Sequence, residues 1–203
     1  MTTLVRSSLG SALALAVALI TGSTASAQSP LAIQTARITI AGTSNIHDYT
    51  ASTTDARVTR AQIGSAAAGD AFWDELQKPG GLDAFEITIA AASLTSPRDG
   101  VDKNMHKALK VKEHADITFR VARMEGAPGA LKAIGTLCIA GVEREVTLPL
   151  TTIRKGGNLS VAGEVVVLMT DFGIVPPKAM LGMIKTDPKI TVRFEVLLAI
   201  ATT

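Results

Sequence analysis

The sequence predicts an all-β fold: an antiparallel up-and-down barrel or a sandwich of about eight strands, with one amphipathic helix inserted between strands. Three observations predict it. Beyond the first residues most segments alternate apolar and polar side chains with a period of two, the strand period. Short turn-prone stretches separate them, clearest at Gly156-Gly157-Asn158, a strong hairpin signal. Residues 96–119 alone break the pattern convincingly: at about 100° per residue, Val101, Met105, Ala108 and Leu109 fall on one side and Lys103, His106, Lys107 and Lys110 on the other.

Taken in order, the chain opens with a targeting signal. Arg6 precedes an apolar run over residues 9–20, and Ala25-Ser26-Ala27 is a small-x-small cleavage site. Residues 1–27 are expected to be a cleaved signal peptide and residues 28–203 a single exported domain, periplasmic or secreted. The run falls short of the roughly 20 residues that a spanning helix needs. No Arg-Arg pair marks the twin-arginine route, and no cysteine near the cleavage point would carry a lipid.

Residues 37–42 alternate, with Ile38 and Ile40 on one face, and Gly42-Thr43-Ser44-Asn45 then supplies a bulge or bend. Residues 50–63, rich in Thr and Val, are expected to give one further strand pair, and 64–69 a small-residue loop. Asp70 starts a short helix in which Phe72, Trp73 and Leu76 share a face, ended by Pro79-Gly80-Gly81. The sole tryptophan reads as a packing anchor. Residues 85–94 form a strand, Ser96-Pro97 breaks it, and the helix follows, with Asp99 and Asp102 at its start where negative charge is favoured. Residues 117–124, 131–140 and 142–153 continue the alternation. Leu159, Val161, Val165, Val167 and Met169 share one face of the next strand, and Ile190, Val192, Phe194, Val196 and Leu198 one face of the last. The outward face is unusually apolar at Val166, Leu168 and Leu197.

Composition narrows the function. Lys and Arg number 20 against 18 Asp and Glu; without Arg6 the mature chain is left with 19 against 18, a net of +1, which argues against a nucleic-acid partner. Cys138, the only cysteine, precludes an internal disulfide and is expected to be a buried small hydrophobe. The three histidines and the cysteine lack metal-ligand spacing, and no nucleophile elbow or phosphate loop is present. His47 and Asp48 are neighbours on a strand, so their side chains leave on opposite faces and cannot readily form a dyad. Aromatic residues are 3% of the chain, leaving few large side chains to plug a barrel whose interior either fills or holds one small ligand.

Four motifs carry a family resemblance. Residues 42–49, GTSNIHDY, resemble the opening GTSNVHDW signature of the exported YceI-like proteins, with Tyr49 where Trp is usual. Residues 102–110, followed by Ile117-Thr118-Phe119, resemble that family's helix and next strand. Residues 135–142, GTLCIAGV, are similar to its G-x-L-T-I-x-G-V strand pair, with Cys138 replacing Thr, and residues 169–174 resemble its MTDFG turn. Order and spacing hold across residues 35–200.

The resemblance implies a lipocalin-like β-barrel with a long apolar tunnel for a polyisoprenoid lipid and a polar mouth for its head group. Combined with the alternation, it assigns the lumen to Phe85, Ile87, Ile89, Met105, Leu109, Phe119, Val121, Val165, Val167, Met169, Phe172, Phe194 and Val196. The head group is assigned to Lys103, His106, Lys107 and Lys110, with Lys178 and Lys185 as further cations. The expected partners are an isoprenoid or other lipid and, transiently, a membrane; no catalytic residue, cofactor, metal or nucleic acid is expected. Two alternatives stand beside this binding role. One is a metal-dependent enzyme in the same barrel using His47, Asp48 and His106, the other a filled-core stress or adhesion module without ligand.

Overall fold

The structure is a computed structural model and describes residues 30–64 and 70–201. The expected signal peptide and all but Gly64 of the expected small-residue loop lie outside the described residues.

Nine antiparallel strands form one curled sheet, which excludes the sandwich: β1 (Leu31–Ser44), β2 (Asp48–Thr53), β3 (Ala56–Ile63), β4 (Leu82–Ala90), β5 (Asp116–Ala127), β6 (Ala130–Ile139), β7 (Val142–Lys155), β8 (Asn158–Leu168) and β10 (Ile184–Ile200). A two-residue strand, β9 (Lys178–Ala179), pairs with β10 alone. The order across the sheet is β2-β1-β10-β8-β7-β6-β5-β4-β3, so the first and last long strands are neighbours. β5 to β8 follow one another through two-residue hairpins. In the last, Lys155 pairs with Asn158 and both intervening glycines have positive φ, the geometry that matches strand twist.

One strand assignment is corrected. Residues 50–63 hold two strands, but these do not pair: β2 joins β1, and β3 joins β4 at the far edge of the sheet. Thr54 and Asp55 make the crossing. Thr53 Oγ1 accepts the Asp55 N–H at 2.9 Å and shares a 2.7 Å hydrogen bond with Ser93, fixing a sharp bend. The chain thereby steps from one edge to the other, and β3 packs against β1. β2 covers part of its free edge with the segment ahead of the second helix, through paired backbone bonds of Ser52 and Thr95 at 2.8 and 3.1 Å.

Two helices close the ends. α1 (Asp70–Leu76) buries Phe72, Trp73 and Leu76 as the spacing predicts, within a cluster that includes Leu31, Phe85, Leu159 and Leu198. α2 (Asp99–Ala108) has no side-chain cap on Arg98; instead Asp102 Oδ1 accepts the Ser96 N–H at 2.7 Å. Its end packs near a second cluster of Ala140, Phe172 and Ile174. Cys138 is half-exposed, not buried, because the period that turns Leu137 and Ile139 inward turns it outward. On the same outer face, Arg120 meets Glu86 and Arg193 meets Glu164 across adjacent strands. No helix among the described residues is long and apolar enough to cross a membrane.

Candidate functional site

Between the two end clusters the barrel is open. A cavity of about 520 Å³ is walled by alternate residues of the sheet. They include Ile38 and Ile40 of β1, Ile87 and Ile89 of β4, Ile117 and Phe119 of β5, Leu137 and Ile139 of β6, Leu148 of β7, Val165 and Val167 of β8, and Ile190 to Val196 by alternation in β10. The register aligns these positions across strands: Ile40 opposes Val192, which opposes Val165, and Ile87 opposes Phe119, which opposes Leu137. One residue of slip would turn the whole set outward. α2 completes the wall with Val101, Met105, Ala108 and Leu109. Val165 and Val167 face inward yet are only half-buried, because the space before them is large enough for solvent.

A second cavity of about 100 Å³ lies toward α1, lined by Leu76, Gln77, Leu82, Leu131, Thr152 and Leu159 among others. Ile87, Phe119, Leu148, Phe194 and Val196 border both, so these five form the waist between them. Phe194 has room there because its neighbour is Gly163, where a Cβ would overlap the ring. At the base, Thr152 Oγ1 donates to Gln77 Oε1 at 2.6 Å and accepts from Gly129 N–H at 2.9 Å, satisfying two buried polar side chains. Trp73 lines neither cavity.

Every residue predicted for the lumen borders one of these spaces: Phe85 and Val121 the smaller, the others the larger. The head-group set does not. Lys103, Lys107 and Lys110 are exposed, and His106 Nε2 is engaged with the Leu94 carbonyl at 2.7 Å. None of the four lines the cavity. Turning the apolar stripe of α2 inward carries the opposite face into solvent, so the cationic stripe is pointed away by the same amphipathicity that made it conspicuous.

The opening is marked instead by residues that line the cavity while remaining exposed: Arg98, Gly100, Asn104 and Lys178. Among the described residues neither Arg98 nor Lys178 has an ion-pair partner. Asn104 could have been found in the sequence, since it flanks the apolar stripe between Val101 and Met105. Of the two further cations the sequence offered, Lys178 lines the cavity and Lys185 does not; Arg98 sits in an irregular segment where periodicity carries no signal.

Ser44, His47, Tyr49 and Thr186 add polar atoms just inside. His47 Nδ1 lies 3.4 Å from Ser44 Oγ, while Asp48 is exposed and borders no cavity, so strand alternation separates the pair. Among the described residues no group of three or more His, Cys, Asp or Glu could hold a metal ion. The Tyr49 hydroxyl is buried without a hydrogen-bond partner. The ring lies over Gly42, where a Cβ would collide with it. Burial, and secondarily the charge of Asp187, pushes the phenol up to about 12.

The unfolded chain would release that proton near its ordinary pKa of 10. The folded state therefore holds the extra proton between the two values, and stability falls as pH rises from 10 toward 12. Tyr49 is the only tyrosine, so its phenolate absorbance can be titrated alone. With circular dichroism reporting the folded fraction, the expected midpoint is near 12. A midpoint at 10 would show that the hydroxyl reaches water.

A family model described as the YceI-like domain matches residues 33–197. The chain belongs to the YceI-like family. Its fold is shared with BcnA of Burkholderia cenocepacia, with a TM-score of 0.62 at 14% identity over 81% of this chain and 96% of that one. A polyisoprenoid-binding domain from Saccharophagus degradans, implicated in plant cell wall breakdown, aligns at 0.62 with 12% identity, covering 86% and 100%. The YceI protein of Campylobacter jejuni aligns at 0.52 with 19% identity, covering 71% and 85%. Among curated proteins none matches the sequence.

Proposed function

We propose that this YceI-like protein is a non-enzymatic carrier that holds a polyisoprenoid or similar long-chain amphiphile, tail in the barrel and head at the mouth. The observation that carries the reading is the open cavity of about 520 Å³ with an almost wholly apolar wall. An apolar space of this kind does not suit water, which needs polar partners. It falls in the size range of small-molecule sites, roughly 300–1,000 Å³. The name of the Saccharophagus domain supports the same ligand class. Burying on the order of 400 Å² of prenyl surface contributes roughly 10 kcal/mol before the ordering of the chain opposes it. Apolar contact is non-directional, so the tail gives affinity and the head gives selectivity.

Export follows from the first 27 residues: cleavage after Ala27 would release the domain to the periplasm or the medium, where a water-insoluble lipid needs a carrier. An open lumen is the opposite of a filled-core module. The metal-dependent alternative gains nothing from the cavity, which His47 lines but neither Asp48 nor His106 does.

At the mouth, Arg98 and Lys178 suit a phosphorylated head group and Asn104 a hydrogen-bonding one. Calorimetric titration of the purified protein with geranylgeranyl diphosphate and with geranylgeraniol tests both halves. The wild type should take up both. Replacing Arg98 and Lys178 together with Ala should weaken the diphosphate by about 10- to 100-fold, the worth of one or two charge-assisted hydrogen bonds, and the alcohol by less than about twofold. Failure to bind either lipid would refute the carrier reading. An equal loss for both would refute the head-group assignment alone.

A further inference from the structure

Large apolar side chains stand in solvent around the mouth. Val175 and Met183 are 79% and 65% exposed, Ile46 is 62% exposed, and Leu181 is wholly exposed. They come from two segments that are tied together. Asn45 Nδ2 donates to the Met183 carbonyl at 2.9 Å, and Asn45 Oδ1 accepts the Lys185 N–H at 2.7 Å. Their immediate neighbours Ile174, Ile184 and His47 line the cavity, as does Pro177, two residues after Val175. Exposed apolar side chains thus stand next to residues of the cavity wall.

The lip is held in an unfavourable state for a protein in water. Leu181 adopts φ 55, ψ 29, the left-handed region that a leucine rarely enters, and its side chain gains no burial from doing so. Clusters of exposed apolar residues of this kind mark interaction sites. Charge selects the partner. Residues 173–186 contain Lys178 and Lys185 and no carboxylate. The nearest carboxylates in the sequence, Asp171 and Asp187 beside this segment and Asp48 after Ile46, lie outside it. Among the described residues neither lysine has an ion-pair partner.

We propose that this rim, formed by Ile46, Val175, Leu181 and Met183 with Lys178 and Lys185, docks on an anionic phospholipid surface and sets the cavity mouth against the bilayer. The apolar residues enter the acyl boundary and the lysines meet lipid phosphates, the arrangement of an interfacial anchor. A lipid could then pass between bilayer and lumen without crossing bulk water. The docking surface stands on the geometry of the rim; only its purpose rests on the lipid-carrier reading.

The test is flotation of the purified mature protein with vesicles of phosphatidylcholine alone or with roughly 30 mol% phosphatidylglycerol, a composition that supplies negative surface potential. Binding is expected to the mixed vesicles and to weaken with added salt. Leu181→Asp with Met183→Asp should lower partitioning by about tenfold or more for each apolar residue removed. Lys185→Gln should lower it by about fivefold, and only on the anionic vesicles. Leu181, Met183 and Lys185 are exposed and line no cavity, so these variants should keep their circular dichroism and still take up geranylgeraniol in a vesicle-free assay. Absence of vesicle binding by the wild type, or equal binding by wild type and variants, overturns the proposal while leaving the carrier reading to its own test. Light scattering that shows a dimer dissolved by Leu181→Asp would overturn it in favour of a second copy on the same face.

Discussion

Val165→Trp is expected to abolish uptake of a prenyl lipid while leaving the barrel folded. The side chain points into the larger cavity from β8, opposite Val192, and sits only half-buried because open space lies before it. An indole there enters a void, so the usual overpacking cost of about 1–3 kcal/mol in a dense core largely does not arise. The ligand must give up that space. Displacing one isoprene unit, with its five carbons at about 0.8 kcal/mol each, removes roughly 4 kcal/mol of apolar burial, enough for a loss of a hundredfold or more. Val166 supplies the control, since it is the next residue on the strand and 49% exposed on the outer face. Val166→Trp should bind as the wild type does. Titration of both variants with geranylgeraniol, alongside thermal melts, reads the difference. Equal uptake by Val165→Trp and wild type would place the ligand somewhere other than the lumen.

That one-residue contrast shows why the wall was legible in the sequence. A strand buries one face, and the period of two needs no knowledge of the partner strand to identify it. The stripes in β4, β5, β8 and β10 could therefore be read directly, as could the apolar side of α2. Seven polar residues at and inside the mouth follow another rule. Arg98 precedes a helix, Ser44 and His47 bracket a tight turn, and Lys178 lies in a loop with a two-residue strand, so their convergence is set by the closure of the sheet. Asn104 is the exception, since it flanks the apolar stripe of α2; Tyr49 and Thr186 lie in regular strands, yet what they face depends on how α2 and the loops fold over that end. Charge in the sequence drew attention to Lys103 and Lys107, which the fold turns away. The crossing from β2 to β3 was hidden for a related reason: Thr54 and Asp55 look like an ordinary hairpin turn, and the change of edge appears in the pairing of β2 with β1 and of β3 with β4, with Thr53 and Ser93 hydrogen-bonded at the bend.

Trp73→Ala is expected to be the most destabilising single truncation at the closed end. The indole is fully buried, its N–H donates to the Gly157 carbonyl at 2.8 Å, and its ring meets Phe72 edge-on at 5.1 Å with Arg154 5.9 Å from its centre. Arg154 in turn pairs with Asp70 and, at 3.8 Å, with Asp74, so one side chain joins α1 to the β7–β8 hairpin. Removing a buried aromatic of this size costs about 3–5 kcal/mol, and for a domain of this length about 2–4 °C of Tm per kcal/mol, or roughly 6–20 °C in all. Trp73→Phe keeps most of the packing and loses the hydrogen bond, about 1 kcal/mol. A melt of the two variants separates these contributions, and a loss below about 1 kcal/mol for Trp73→Ala would mean that α1 is not the anchor of that end. The effect should also reach the ligand. Leu76 and Gln77, one turn on from Trp73, line the smaller cavity, so loosening α1 lets water into the base of the tunnel. Uptake of a chain long enough to pass the waist of Phe119 and Phe194 should fall more than uptake of a short one, because only the long chain draws affinity from that end.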